Sequence, residues 1–231
     1  MPKLFAISDL HLSFSAQKPM NVFGAKWDNY EQKLFENWQS LVQKDDVVLM
    51  PGDTTWATYV KDAVPDFDFI NRLNGIKVIS KGNHDYWWET LTKLNGFLDA
   101  NRFHTVRFLH NTCEVFGNIA VCGTKGYPET EKMPEGEEEQ KLYMRELLRL
   151  KNAISLAKKT GAEKIVVMLH YPPGPNTEFA RVMQEEGVFC CAFGHLHGNY
   201  ERAVQGDVRG VLYRLVSCDY LKFMPKEIAT F

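Results

Sequence analysis

The chain has 231 residues, 45% of them hydrophobic and 24% charged, and a formal net charge of −2. That length suffices for one sizeable core and is short for two, so residues 1–231 read as a single domain. No Lys/Arg-rich run occurs, which counts against a nucleic-acid partner, and no apolar stretch is long enough to span a membrane.

Short apolar runs rich in β-branched or aromatic residues predict strands, and helical spacing marks the segments between them. Residues 4–8 form the first run. It is too short for a signal peptide, and Asp9 and His11 follow at once, so a cytoplasmic location is expected. Residues 29–43 place Leu34, Phe35, Trp38, Leu41 and Val42 on one helical face. Runs at 47–50 and 76–80 each end in a Gly-containing turn. Residues 112–115 and 119–122 flank Gly117-Asn118 and predict a hairpin. Residues 129–139 are acidic and read as a solvated loop and first helical turn, where carboxylates suit the helix dipole. Residues 137–159 put Leu142, Leu147, Leu150, Ile154 and Leu156 at helical spacing, with Gly161 as the stop. Runs at 165–169, 188–193 and 211–216 complete the strand set. The five cysteines include adjacent Cys190 and Cys191 and no CxxC pair, and read as buried reduced thiols. Strands alternating with helices predict an α/β layered fold, and the hairpin makes its sheet system mixed.

Five short motifs each follow a predicted strand. They are Asp9-Leu10-His11, Gly52-Asp53, Gly82-Asn83-His84-Asp85, His170 and Gly194-His195-Leu196-His197. Ligands of open α/β sheets bind beyond the carboxyl ends of strands, so five strand ends can deliver these side chains to one place. In Asp9-x-His11 an extended backbone would point both side chains the same way, and the same holds for His195 and His197. Imidazole and carboxylate without thiolate suit Mn, Fe, Zn or Co. Asp9, His11, Asp53, Asn83, His170, His195 and His197 are too many ligands for one tetrahedral ion, so two divalent metal ions are expected. Such a pair activates water and grips phosphoryl oxygens. His104 and His110 lie outside the motifs and read as surface or packing residues.

The ordered set, spanning Asp9 to His197, resembles the calcineurin-like metallophosphoesterase family. The resemblance implies a two-layered mixed β-sandwich flanked by helices. It implies one metal on Asp9, His11, Asp53 and His197, and a second on Asp53, Asn83, His170 and His195. It also implies a metal-bound hydroxide nucleophile, and His84 as a non-ligand that protonates the leaving oxygen or steadies the phosphoryl oxygens. One departure stands out. The family's second motif ends in a carboxylate that orients this histidine in protein-phosphatase-like members, but Trp56 stands there. Trp can only donate, so His84 needs another partner, either Asp85 or a backbone carbonyl.

The expected substrate is a phosphate mono- or diester, with a small-molecule or nucleotide phosphodiester first. A protein phosphatase and a nuclease on the same fold are the alternatives, and a non-catalytic interaction module comes last, because every ligand position is present. Trp27 and Trp87 either pack the core or form an aromatic wall for a flat group. Lys125, flanked by Gly123 and Gly126, is either a solvated loop residue or a phosphate contact. Prolines after His170 stiffen that segment and shape one rim of the cleft.

Overall fold

The computed structural model describes residues 1–16, 18–128 and 133–231. Its elements run β1 (Lys3–Ala6), α1 (Tyr30–Leu41), β2 (Val47–Pro51), α2 (Val64–Arg72), β3 (Ile76–Ser80), α3 (Leu91–Asn101), β4 (Val106–Phe108), β5 (Cys113–Phe116) and β6 (Ile119–Thr124). Then follow α4 (Glu137–Lys159), β7 (Lys164–Leu169), α5 (Glu178–Glu185), β8 (Cys190–Phe193), β9 (Gly206–Val208), β10 (Val211–Leu215) and β11 (Lys226–Thr230). The strands make two sheets, ordered β11-β1-β2-β3-β4 and β5-β6-β7-β8-β10-β9. Both are parallel inside and carry antiparallel strands at their edges: β11 in the first, β5 and β9 in the second.

The continuous apolar runs follow from burial on both faces. Leu4, Ala6, Val47, Leu49 and Val78 of the first sheet meet Ile119, Val121, Val166, Met168, Cys190 and Ala192 of the second. Their alternate neighbours point outward under helices. Phe5, Val48, Met50 and Ile79 pack beneath α1, α2 and α3, while Ala120, Cys122, Val167 and Cys191 pack beneath α4 and α5. The result is a two-sheet α/β sandwich flanked by helices. All five cysteines are unpaired, and four are buried.

The expected hairpin forms, with Phe116 opposite Ile119 and Gly117 at φ 55°. Helix faces depart from the spacing in detail. Helix α1 buries Tyr30, Leu34 and Trp38, and leaves Leu41 exposed. Helix α4 buries Leu147, Leu150 and Ile154 through a face completed by Tyr143, Ala153 and Ala157, while Leu142 and Leu156 face solvent. Small alanines let the helix lie close to the sheet, which narrows its buried stripe and turns the outlying leucines away. Glu137, Glu138 and Glu139 occupy the first turn of α4 as the dipole favours; residues 129–132 of the acidic segment lie outside the described residues.

Lys77 of β3 is fully buried, and its ammonium donates to the carbonyls of Leu73 and Gly75. Burial pushes it down to about 7. The charged form is thus penalised in the folded chain below that value, and the penalty fades as pH rises toward the ordinary lysine value of 10.5.

Two stability measurements check these assignments. In chemical denaturation, Leu150→Ala should cost about 2–5 kcal/mol, whereas Leu156→Ala should cost under about 1 kcal/mol. Relative to Lys77→Met, the wild type should gain roughly 2–3 kcal/mol between pH 6.5 and 9.5; a pH-independent difference would show that Lys77 keeps an ordinary basicity.

Candidate metal centre

The two sheets meet at the carboxyl ends of their central strands. Ser8, after β1, donates its N–H to Val216 and accepts from Cys218, so the end of β1 is stitched to the end of β10. Across the gap His170 donates to the Lys125 carbonyl, and Gly194 donates to that of His170. The loops after β1, β2, β3, β7 and β8 therefore open on one place.

There the backbone bends sharply. Asp9, His11, Asp53 and His195 all have left-handed φ, at 58°, 47°, 54° and 72°. Such conformations are costly for residues with a Cβ and persist where surrounding structure enforces them. This corrects the expectation of an extended Asp-x-His: left-handed bends at Asp9 and at His11, with Leu10 buried between them, bring both side chains into one group. The loops also approach very closely. A Cβ on Gly82 would lie 2.1 Å from Asp53 Oδ1, and one on Gly194 would lie 2.2 Å from Asp9 Oδ2.

Six of the expected ligands form two groups. One donor atom each from Asp9, His11 and His197 lie within 4.8 Å of one another, as do atoms from Asp53, His170 and His195. Asn83 joins the second group, its Oδ1 lying 2.6 Å from His170 Nε2 and 3.0 Å from His195 Nδ1. Asp53 lies between the groups, with Oδ2 3.9 Å from His11 Nε2 and 3.4 Å from His170 Nε2.

The electrostatics show that these residues fit divalent cations. Burial raises the Asp9 carboxyl, and it pushes Asp53 up to about 9 with help from the nearby Asp85 and Asp9 charges. Burial also lowers His11 far below its ordinary value, His170 to about 3 and His195 to about 4. Neutral His11, His170 and His195 imidazoles converging on the buried Asp9 and Asp53 carboxylates make a donor set to which a divalent cation would supply positive charge.

Partners outside the donor set fix several rings. His170 Nδ1 lies 3.0 Å from the Pro51 carbonyl, which sets that nitrogen as the donor and frees Nε2. His197 Nδ1 lies 3.0 Å from Asp219 Oδ1, which frees its Nε2 in the same way. Burial pulls His197 down, but Asp219 and Asp9 outweigh it and leave the imidazole raised. Against its burial, Asp219 stays below the usual carboxylate range, held first by His197 and then by the Lys26 ammonium and the Tyr200 hydroxyl. Sequence reasoning missed this aspartate. Its signal was position: it follows the predicted strand at 211–216, as the other site residues follow theirs.

Asp85 requires a correction. Its oxygens accept from the N–H groups of Asp53, Thr54 and Gly82 and from the Trp87 indole. It is a buried loop anchor, and none of these bonds involves the His84 ring. Trp87 is likewise core, 1% exposed against Phe67 and Phe108, and lines no cleft wall. His84 tilts against Trp56 at 4.7 Å, while Trp56 stacks on His11, also at 4.7 Å. Among the described residues His84 Nδ1 has no hydrogen-bond partner. The aromatic plate takes the place of an acceptor, and burial keeps this imidazole below its ordinary value. Trp27 does stand at the site, its ring 5.9 Å from that of His197. Lys125 faces a separate cavity, beside Lys81.

Asp219→Asn should weaken metal binding at the group holding His197 by about 10–100-fold, because with Lys26 and Tyr200 donating to the amide oxygen its NH2 faces Nδ1 and favours the other tautomer. Metal titration of the folded variant reads this directly.

Among the described residues no helix is long and apolar enough to cross a membrane. No curated protein matches the sequence. Similar solved structures include a protein of unknown function, AQ665, from Aquifex aeolicus, 14% identical with TM-score 0.55, covering 98% of this chain and 96% of that one. They also include the phosphopantetheinyl hydrolase of Mycobacterium tuberculosis, 12% identical with TM-score 0.58, covering 98% and 95%. At such identities the likeness is one of fold. The family model for calcineurin-like phosphoesterase matches residues 2–199. With two groups of metal-binding side chains at the meeting point of its sheets, the chain belongs to the calcineurin-like phosphoesterase family and is a metal-dependent phosphoesterase.

Proposed function

We propose that the chain, acting as one catalytic unit, hydrolyses a small phosphodiester that carries a flat apolar group, such as a nucleotide. Asp9, His11, Asp53 and His197 would hold one cation, and Asp53, Asn83, His170 and His195 the other. Mn, Fe, Zn or Co suits this donor set. Two such cations supply Lewis acidity to the phosphoryl oxygens and lower the pKa of water. The residues do the rest. Asp53 spans both groups and fixes their spacing. His84, outside the donor set and backed by Trp56, contacts the phosphoryl or leaving oxygen. Four buried, unpaired thiols fit a reducing cytoplasm.

The observation that carries the substrate class is a cleft of about 390 Å³ beside His11 and His197. Its walls include Met20, Phe23, Trp27 and Trp56, with Lys26 also in the lining. That volume suits one small molecule, and its aromatic faces suit a flat group. A cleft of this size walled by aromatic faces is short for an extended phosphopeptide or a DNA strand.

A panel of cyclic nucleotides, dinucleotides, phosphopeptides and single-stranded DNA, run on Mn-loaded protein, tests this. Nucleotide diesters should lead in kcat/KM by about tenfold or more. Phe23→Ala, which trims an exposed wall of the cleft, should raise their KM several-fold with little change in kcat. Metal stripping should abolish turnover and Mn²⁺ restore it. A preference for phosphopeptides, or activity that survives metal removal, would overturn the proposal.

A further inference from the structure

A second cavity, of about 620 Å³, is lined by residues that follow β3 and β6. Its lining includes Lys81, His110, Lys125, Arg145 and Arg149. Lys81 leaves β3 two residues before Asn83. Lys125 leaves β6 and accepts the His170 N–H on its carbonyl. The cavity is thus tied by backbone to the Asp53, Asn83, His170 and His195 group, as the aromatic cleft is tied to the group containing His11 and His197.

The charge there is one-sided. Among the described lining residues the acids are Glu89 and Glu146. Glu89 pairs with Lys93, and buried Glu146 accepts from Thr124 and Arg149 and lies 3.5 Å from Arg145, so one carboxylate faces two guanidiniums while Lys81 and Lys125 add further positive charge. Lys81, His110, Lys125 and Arg149 are each half-buried in that lining. Trp88, also in the lining, has a buried indole N–H with no partner among the described residues. Partly desolvated cations around a cavity, with a spare N–H donor, are a receptor for a compact multivalent anion.

We propose that this basic cavity binds a second phosphate-like dianion on the substrate, on the arm opposite the flat group. The scissile phosphoryl group would sit at the metals, the flat group in the aromatic cleft and the distal anion between Lys81, Lys125 and Arg145. This rests on the diester reading above and extends it: the substrate class becomes a diester with a further phosphate on its second arm.

Two nitrophenyl phosphodiesters that differ only at the end of the second arm, one ending in phosphate and one in hydroxyl, test the inference. Binding to Mn-loaded protein is followed by quenching of tryptophan fluorescence, which reports occupancy whether or not the ester is cleaved; turnover is measured in parallel. The phosphate-ended ligand should bind about tenfold or more tighter, with the ratio falling as salt rises. Lys81→Gln/Arg145→Gln should bring the ratio close to one, and Lys125→Gln should lower it. Lys44→Gln, a distant exposed site, should leave it unchanged. Thermal melting checks that each variant folds. Equal binding of the two ligands by the wild type, or a ratio that survives in both cavity variants, overturns the inference. Absent turnover with a retained binding ratio would instead count against the diester reading and leave the anion cavity standing.

Discussion

The Asp85 carboxylate collects the N–H groups of Asp53, Thr54 and Gly82 and the indole of Trp87. In this way it locks the loop after β2 to the loop after β3. Its burial costs energy that four hydrogen bonds offset. Once those loops are locked, Asp53 stands at a single height above the sheet, and its Oδ1 receives the His84 N–H. Asn83, one residue earlier, is carried to the two histidines of the second group. The left-handed bends at Asp9 and Asp53 can persist because this network and the Ser8–Ser217 bridge leave the backbone no relaxed alternative.

Electrostatic cost explains much else around the centre. Asp9 and Asp53 are both buried, and the Asp85 and Asp9 charges add to the burial penalty on ionising Asp53. A fold tolerates this when cations belong to its working state. Asp219, Lys26 and Tyr200 show the converse arrangement, a buried acid already satisfied by donors, which holds a ring in place and needs no metal of its own.

Much of this was legible in the sequence, for identifiable reasons. Strands buried on both faces give nearly unbroken apolar runs, so β1, β2, β3, β6, β7 and β8 stood out, and half-buried β10 still carries enough apolar residues to be read. Edge strands do not: β9 is Gly-Asp-Val, and β11 reads Lys-Glu-Ile-Ala-Thr with only Ile228 buried. The short helices α2, α3 and α5 offered too few turns for a clear period. At the site, residue type and strand-end position identified the ligand-type side chains that the fold brings together. They could not distinguish a residue that faces the centre from one that faces away. Asp85 and Trp87 share a motif with Asn83 and His84 yet point into the protein. Asp219 sits in no recognisable motif, and only its place after β10 links it to His197.

Each group of metal-binding side chains draws on both sheets. Asp9 and His11 belong to the first and His197 to the second; Asp53 belongs to the first, His170 and His195 to the second. The first sheet takes its parallel strands from the early part of the chain, and the second from the later part. A cation in either group is therefore a cross-link between parts of the polypeptide made at different times. On the ribosome neither group can be completed before the segment carrying His195 and His197 has emerged. A metal bound in either group would therefore tie together two sheets contributed by different parts of the chain.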